Sequence, residues 1–130
     1  MDQKKISFLV VDDIIMNRIL LKEIITDYAE NIIEACNGKE ALEKLENNKI
    51  DVVLMDIEMP VMNGVETTRY IRGQLDYPNN KVIIIALTAH NPHDFFTDYN
   101  NAGFNELLTK PYSFEKIMNI LQAVDIIKKD

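Results

Sequence analysis

The chain has 130 residues, a length that suits one domain with a single core and leaves no room for a second of ordinary size. Hydrophobic residues at 47% and charged residues at 27% give a globular balance and exclude a disordered or repeat-biased chain. Fourteen Lys and Arg against twenty-one Asp and Glu leave a net charge of −7, which argues against nucleic acid and against an anionic membrane surface as partners.

Met1 to Lys5 leads into a strand-like run and does not read as a signal peptide. Ile6–Val11 (ISFLVV) is nearly continuous in apolar residues and predicts a strand covered on both faces. Met16, Leu20, Ile24 and Tyr28 then recur at helical spacing and predict the buried face of a first helix, with Lys22 and Glu23 turned away. Ile32–Cys36 predicts a second strand, with Cys36 as a small buried hydrophobe at its end. Asn37 with Glu40 marks the start of a second helix that buries Ala41, Leu42 and Leu45. Asp51–Met55 (DVVLM) predicts the third strand, and Asn63 with Glu66 caps a third helix. Gln74–Lys81 is polar and turn-rich, a surface loop. Val82–Leu87 predicts the fourth strand; it is also the longest apolar run, far short of the ~20 residues a membrane helix needs. Asn91-Pro92 opens a fourth helix carrying Phe95, Phe96 and Tyr99. Glu106–Thr109 predicts the fifth strand. A last helix capped by Ser113 then buries Phe114, Ile117, Met118, Leu121 and Val124, and Lys128-Lys129 complement its dipole. A single cysteine forms no internal disulfide and no thiolate metal site, so a reducing, cytoplasmic setting is expected.

Strand and helix alternate five times, which predicts an α/β fold with a doubly wound parallel sheet and right-handed crossovers. Ligands in such sheets bind beyond the carboxyl ends of the strands, near the point where strand order reverses. The residues falling there are Asp12 and Asp13 after the first strand, Asp56 after the third, Thr88 after the fourth and Lys110 after the fifth. Three carboxylates in one small volume repel, and a divalent cation relieves that repulsion. An all-oxygen donor set without Cys or His suits Mg2+ and disfavours zinc. Lys110 adds a second positive charge, Thr88 a hydroxyl donor, and Asp56 a carboxylate nucleophile able to form an acyl phosphate.

Four motifs span most of the chain: Val10-Val11-Asp12-Asp13, the run Val53 to Gly64 containing Asp56 and Met59-Pro60, Ile85-Ala86-Leu87-Thr88-Ala89, and Ala102-Gly103 leading to Lys110-Pro111. With these motifs the sequence resembles a receiver domain of two-component response regulators, most closely those of hybrid histidine kinases and phosphorelays. The resemblance implies a flavodoxin-like (βα)5 fold with strand order 2-1-3-4-5 and one receiver domain over residues 1–130. It implies Asp56 as phosphoacceptor, and Asp12, Asp13, Asp56 and the backbone carbonyl of Glu58 as Mg2+ ligands. Thr88 and Lys110 would bind the phosphoryl group, and the bond before Pro111 is typically cis. The donor would be a sensor histidine kinase or a histidine phosphotransfer protein. The switched output face would lie on the fourth helix, fifth strand and fifth helix, and the first helix would also meet partners. The state would be a monomer or a phosphorylation-dependent dimer, with self-catalysed phosphorylation and dephosphorylation and no turnover of external substrates.

The sequence departs from the family at the switch position three residues before the lysine, where Leu107 stands in place of the usual aromatic residue. Glu58 and His90, two residues beyond Asp56 and Thr88, would flank attacking water and tune phosphate lifetime, alongside Ala89 next to the threonine. The rival reading, a magnesium phosphatase with an aspartyl-phosphate intermediate, needs a cap or insertion for which the chain has no spare length. A nucleotide-binding flavodoxin-like module lacks its glycine-rich loop here, and a protein-binding receiver without chemistry, which Leu107 leaves open, is disfavoured by the intact set Asp12, Asp13, Asp56, Thr88 and Lys110.

Overall fold

The computed structural model describes residues 5–89 and 102–124. Five strands, β1 (Ile6–Val11), β2 (Ala29–Ala35), β3 (Val52–Asp56), β4 (Ile83–Thr88) and β5 (Glu106–Thr109), form one parallel sheet in the order β2-β1-β3-β4-β5. Four helices are described: α1 (Ile15–Ile25), α2 (Gly38–Asn47), α3 (Gly64–Gln74) and α4 (Phe114–Ala123). The helix predicted from Asn91-Pro92, with His90, His93, Phe95, Phe96 and Tyr99, lies outside the described residues, as do Lys128 and Lys129.

Strand periodicity divides the core in two. Along β1, Ile6, Phe8 and Val10 join one cluster while Leu9 and Val11 join the other, because successive side chains point to opposite faces. The first cluster continues through Val52, Leu54, Ile85 and Leu87 to Leu21 and Ile25 of α1 and to Ile117, Met118 and Leu121 of α4. The second takes Val53, Met55 and Ile84 to Ala41 and Leu45 of α2 and Ile71 of α3. Each fully buried aliphatic side chain of this kind contributes roughly 1.5–3 kcal/mol, so the two-sided sheet dominates the stability.

Capping sets the helix starts as the sequence indicates. Asn63 and Glu66 form a complete reciprocal capping box. Asn37 accepts from the Glu40 amide, but the Glu40 carboxylate reaches back one residue further, to the Cys36 amide. Ser113 accepts from the Lys116 amide.

Three expectations need correcting. The buried residues of α1 are Arg18, Leu21 and Ile25; Met16 and Leu20 are exposed and Ile24 and Tyr28 only partly buried. The helix is apolar on two faces, so spacing alone does not select the inner one, and the stripe at 18, 21 and 25 is equally helical. Cys36 is exposed, since β2 ends at Ala35 and the next residue turns outward toward the α2 cap. Phe114 is half exposed and meets Tyr28 with ring centroids 6.2 Å apart instead of entering the core.

Candidate active site

The ends of β1, β3, β4 and β5 lie side by side, and the strand ladder itself brings the predicted residues together. Asp56 pairs in register with Leu87, and Thr88 with Thr109. Beyond the ladder the Lys110 amide donates to the Thr88 carbonyl at 2.9 Å, and the Ile57 amide to the Leu87 carbonyl at 3.2 Å. Thr88 and Lys110 are thus locked by the backbone to the strand carrying Asp56. The Lys110-Pro111 bond is cis.

Asp12, Asp13 and Asp56 each present a carboxylate oxygen, and these atoms lie within 4.8 Å of one another. Asp12 and Asp56 are buried and Asp13 is exposed, so the cluster opens to solvent on one side. The Lys110 ammonium stands 3.7 Å from Asp56 Oδ1. Asp12 is held from the start of α1: its Oδ1 accepts from the amide of Ile14, the residue before the helix, at 2.9 Å, and its Oδ2 from Asn17 Nδ2 at 3.1 Å. Burial raises the Asp12 pKa against those hydrogen bonds and the Lys110 charge. Burial, and then the Asp12 charge, push Asp56 up to about 6, while Lys110 and the Glu58 amide act the other way. The Asp56 carboxylate is therefore mostly ionised at neutral pH, and at a free-energy penalty that a cation would relieve.

The donor set fits a magnesium ion. It is made of hard oxygen ligands, lacks Cys and His among the described residues, and has a carboxylate excess that one Lys does not neutralise. The Tyr112 hydroxyl, two residues past Lys110, is buried without a hydrogen-bond partner among the described residues, and burial with the charges of Asp12 and Asp56 raises its pKa. Neither Tyr112 nor Arg18, whose guanidinium donates to the Asp12 carbonyl at 2.7 Å, stands out in the sequence. A polar residue in an apolar-looking helix was the available signal for Arg18.

The loop after β3 shapes the other wall. Gly64 donates its amide to the Ile57 carbonyl at 2.9 Å. A Cβ at Gly64 would collide with the Asp56 carbonyl oxygen, so α3 begins tight against the strand end that carries Asp56. In the same loop Val61 adopts φ 71° although it is β-branched and 78% exposed, a conformation that strains such residues. Val61→Asn, whose side chain tolerates this region, should stabilise the fold by about 1 kcal/mol. Urea titration checks this as a higher midpoint at unchanged slope; a lower midpoint would mean that the valine side chain makes a compensating contact.

Leu107 packs with Phe104 and Val65 against the buried Ile57 and Ala86. Leu107 therefore packs on the same small cluster as an aromatic ring supplied from three residues upstream. Ala89 is exposed and lies at the end of β4, and His90 is outside the described residues. Exposed Ile14, Ile15, Met16, Ile19 and Leu20 form an apolar surface on and before α1. Among the described residues no helix is long and apolar enough to cross a membrane.

Comparison with known proteins gives a consistent result. Residues 8–122 match the family model of the response regulator receiver domain. The chemotaxis protein CheY of Thermotoga maritima is 36% identical over 117 residues, covering 89% of this chain and 94% of that protein. The receiver domain of the sensor histidine kinase PA1611 from Pseudomonas aeruginosa, solved with magnesium in its active-site cleft, superposes with a TM-score of 0.80 at 29% identity, covering 92% of this chain and 96% of that one. The complex of the Saccharomyces cerevisiae histidine phosphotransfer protein Ypd1 with the Ssk1 receiver domain matches with a TM-score of 0.81 at 27% identity, covering 94% and 90%. Other curated relatives are much longer: the chain spans 17% of the Vibrio cholerae sensor kinase CqsS.

Proposed function

The chain belongs to the response regulator receiver domain family, and we propose that Asp56 is its phosphoacceptor, taking a phosphoryl group from a phosphohistidine. The observation that carries this is the convergence of Asp12, Asp13 and Asp56 with Lys110 at one sheet edge. A Mg2+ ion would be held by Asp12, Asp13, Asp56 and the Glu58 carbonyl, and when bound it supplies positive charge to the phosphoryl oxygens. Lys110, already 3.7 Å from the Asp56 carboxylate, neutralises a further oxygen. Thr88, buried at the end of β4, donates its hydroxyl to another.

In the transfer, an Asp56 oxygen forms a bond to phosphorus as the phosphorus–nitrogen bond of the donor breaks, and the electron pair leaves with the imidazole. Water then attacks the same phosphorus, returning inorganic phosphate and the free carboxylate. Asp56 is the attacking group because it is the buried carboxylate paired with Lys110; Asp12 has one position on each oxygen already occupied, by the Ile14 amide and by Asn17. The complex of a related receiver with a histidine phosphotransfer protein supports a donor of that kind for this chain. The exposed apolar residues beside the pocket, Ile14, Ile15, Met16, Ile19 and Leu20, are the surface we assign to docking it.

Phosphoramidate, which carries a phosphorus–nitrogen bond like the natural donor, tests the chemistry. The expected result is one hydroxylamine-labile phosphoryl group per chain. Repeated hydrolysis of p-nitrophenyl phosphate without a stoichiometric adduct would instead support a phosphatase.

A further inference from the structure

We infer that Arg18 is a positioning residue for the acidic pocket, aligning the Asp12–Asp13 peptide for magnesium, with Glu34 of β2 as its anchor. This rests on the reading of that pocket as a magnesium site. The guanidinium is buried between α1 and the sheet. Its Nη1 donates to the Asp12 carbonyl at 2.7 Å, and its Nε donates to Glu34 Oε1 at 2.9 Å. Lys22 holds the other Glu34 oxygen at 2.9 Å, and the pair of cations, the Lys22 hydrogen bond foremost, lowers the Glu34 pKa.

The consequence lies in peptide planarity. The Asp12 carbonyl and the Asp13 amide belong to one rigid plane, so a donor on that carbonyl orients the backbone from which both carboxylates project. The other side of Asp12 is fixed as well, its amide donating to the Ala35 carbonyl at 3.1 Å. Ala35 follows Glu34 directly, so β2 grips Asp12 twice, once through its own backbone and once through Arg18. The Asp12 side chain is separately oriented by Ile14 and Asn17. Arg18 alone acts on the peptide shared with Asp13, which is exposed and for which no other device of this kind is present among the described residues. The role suits the arginine fork, whose Nε and Nη1 donors sit on one rigid plane and fix two acceptors in direction as well as distance; a Lys ammonium offers its donors from a single rotating nitrogen and fixes neither direction.

Mg2+ titration of the full chain by calorimetry, with denaturant unfolding of the same samples, tests the role. Arg18→Lys should bind Mg2+ about tenfold more weakly, the scale of lost outer-shell support, while still unfolding cooperatively. Glu34→Gln should weaken binding in the same direction but by less than Arg18→Lys, and have no further effect in the Arg18→Lys background, the signature of one coupled unit. Binding by Arg18→Lys within twofold of the parent, whatever its stability, would overturn the role. If Arg18→Lys does not fold, unchanged Mg2+ affinity in Glu34→Gln overturns it. A parent chain that binds no Mg2+ at millimolar concentration would instead overturn the magnesium reading itself.

Discussion

Without divalent cation at neutral pH, Asp56→Asn should be more stable than the parent by about 3 kcal/mol, although it removes the proposed phosphoacceptor. The physical cause is the elevation of Asp56 from 3.8 to about 6, through burial first and the Asp12 charge second. A carboxyl whose folded pKa exceeds its unfolded value binds more protons when folded. Its contribution is therefore fully present below about pH 4 and is lost as the pH rises through about 6, a swing of about 3 kcal/mol over that window. Asp12 is raised by burial and adds loss of the same sign. Glu34 is lowered by its Lys22 and Arg18 partners and acts oppositely, its stability being lost as pH falls below the usual glutamate range. Urea unfolding at pH 5 and pH 7.5 in EDTA should show the parent losing stability on the alkaline side and Asp56→Asn losing much less. Millimolar Mg2+ should narrow or reverse the difference, because ligand that binds only the folded state stabilises it. A parent more stable than Asp56→Asn at pH 7.5 in EDTA would contradict the electrostatic reading of the pocket.

Arg72→Met should destabilise the fold by about 3 kcal/mol and lower the melting temperature by roughly 10 °C. From α3 the guanidinium donates to the Gly103 carbonyl at 2.9 Å, the Asn80 carbonyl at 3.0 Å, the Val82 carbonyl at 2.7 Å and Asn105 Oδ1 at 2.8 Å. The same Asn105 oxygen accepts the Ile84 amide at 2.8 Å, and the Asn105 amide donates back to the Ile84 carbonyl at 2.8 Å. One side chain thereby ties α3 to the segments entering β4 and β5. Methionine fills much of the volume but leaves three part-buried carbonyls without this donor, and leaving a buried acceptor unmet costs about 1–3 kcal/mol, less where water reaches it. Arg72 works at the amino ends of the strands, opposite the acidic pocket. The variant should therefore retain the parent's Mg2+ affinity at temperatures where it is folded. Calorimetric melting checks the first statement and Mg2+ titration the second; unchanged melting would mean that water replaces the guanidinium at no loss.

Much of this architecture can be read from the amino acids because the strands carry their environment openly. Ile6–Val11 and Val82–Leu87 are apolar at nearly every position, as strands of a sheet covered on both faces are, and both fall on interior strands, β1 and β4. The pocket is legible for a related reason. A parallel sheet gathers residues at strand ends whatever their separation in sequence, so Asp12, Asp56, Thr88 and Lys110 meet once the strands are located. What escapes a periodicity argument is the choice between two apolar faces on one helix. On α1 the stripe at Met16 and Leu20 looks as suitable as the one at Leu21 and Ile25, and packing on the sheet selects the latter. Arg18 compounds the ambiguity: a charged residue on the inner face reads as an outer one until its partners, Glu34 and the Asp12 carbonyl, are brought from another strand and from the turn. Cys36 is exposed because β2 stops at Ala35, one residue short of the strand the sequence predicts. On α1 the deciding contacts are with other strands, and spacing along the chain carries no record of them; at Cys36 the deciding contact is local, its amide donating to the Glu40 carboxylate four residues on.

The most direct measurement is intact mass after incubation with acetyl phosphate and Mg2+, on the parent and on Asp56→Asn side by side. Addition of a single phosphoryl group to the parent, abolished by EDTA and absent from Asp56→Asn, is the expected result. A beryllofluoride titration run in parallel detects a competent pocket even where hydrolysis outpaces the mass measurement. An equal adduct on Asp56→Asn, or a parent that neither gains mass nor binds beryllofluoride, would contradict the assignment of Asp56 as the phosphoacceptor.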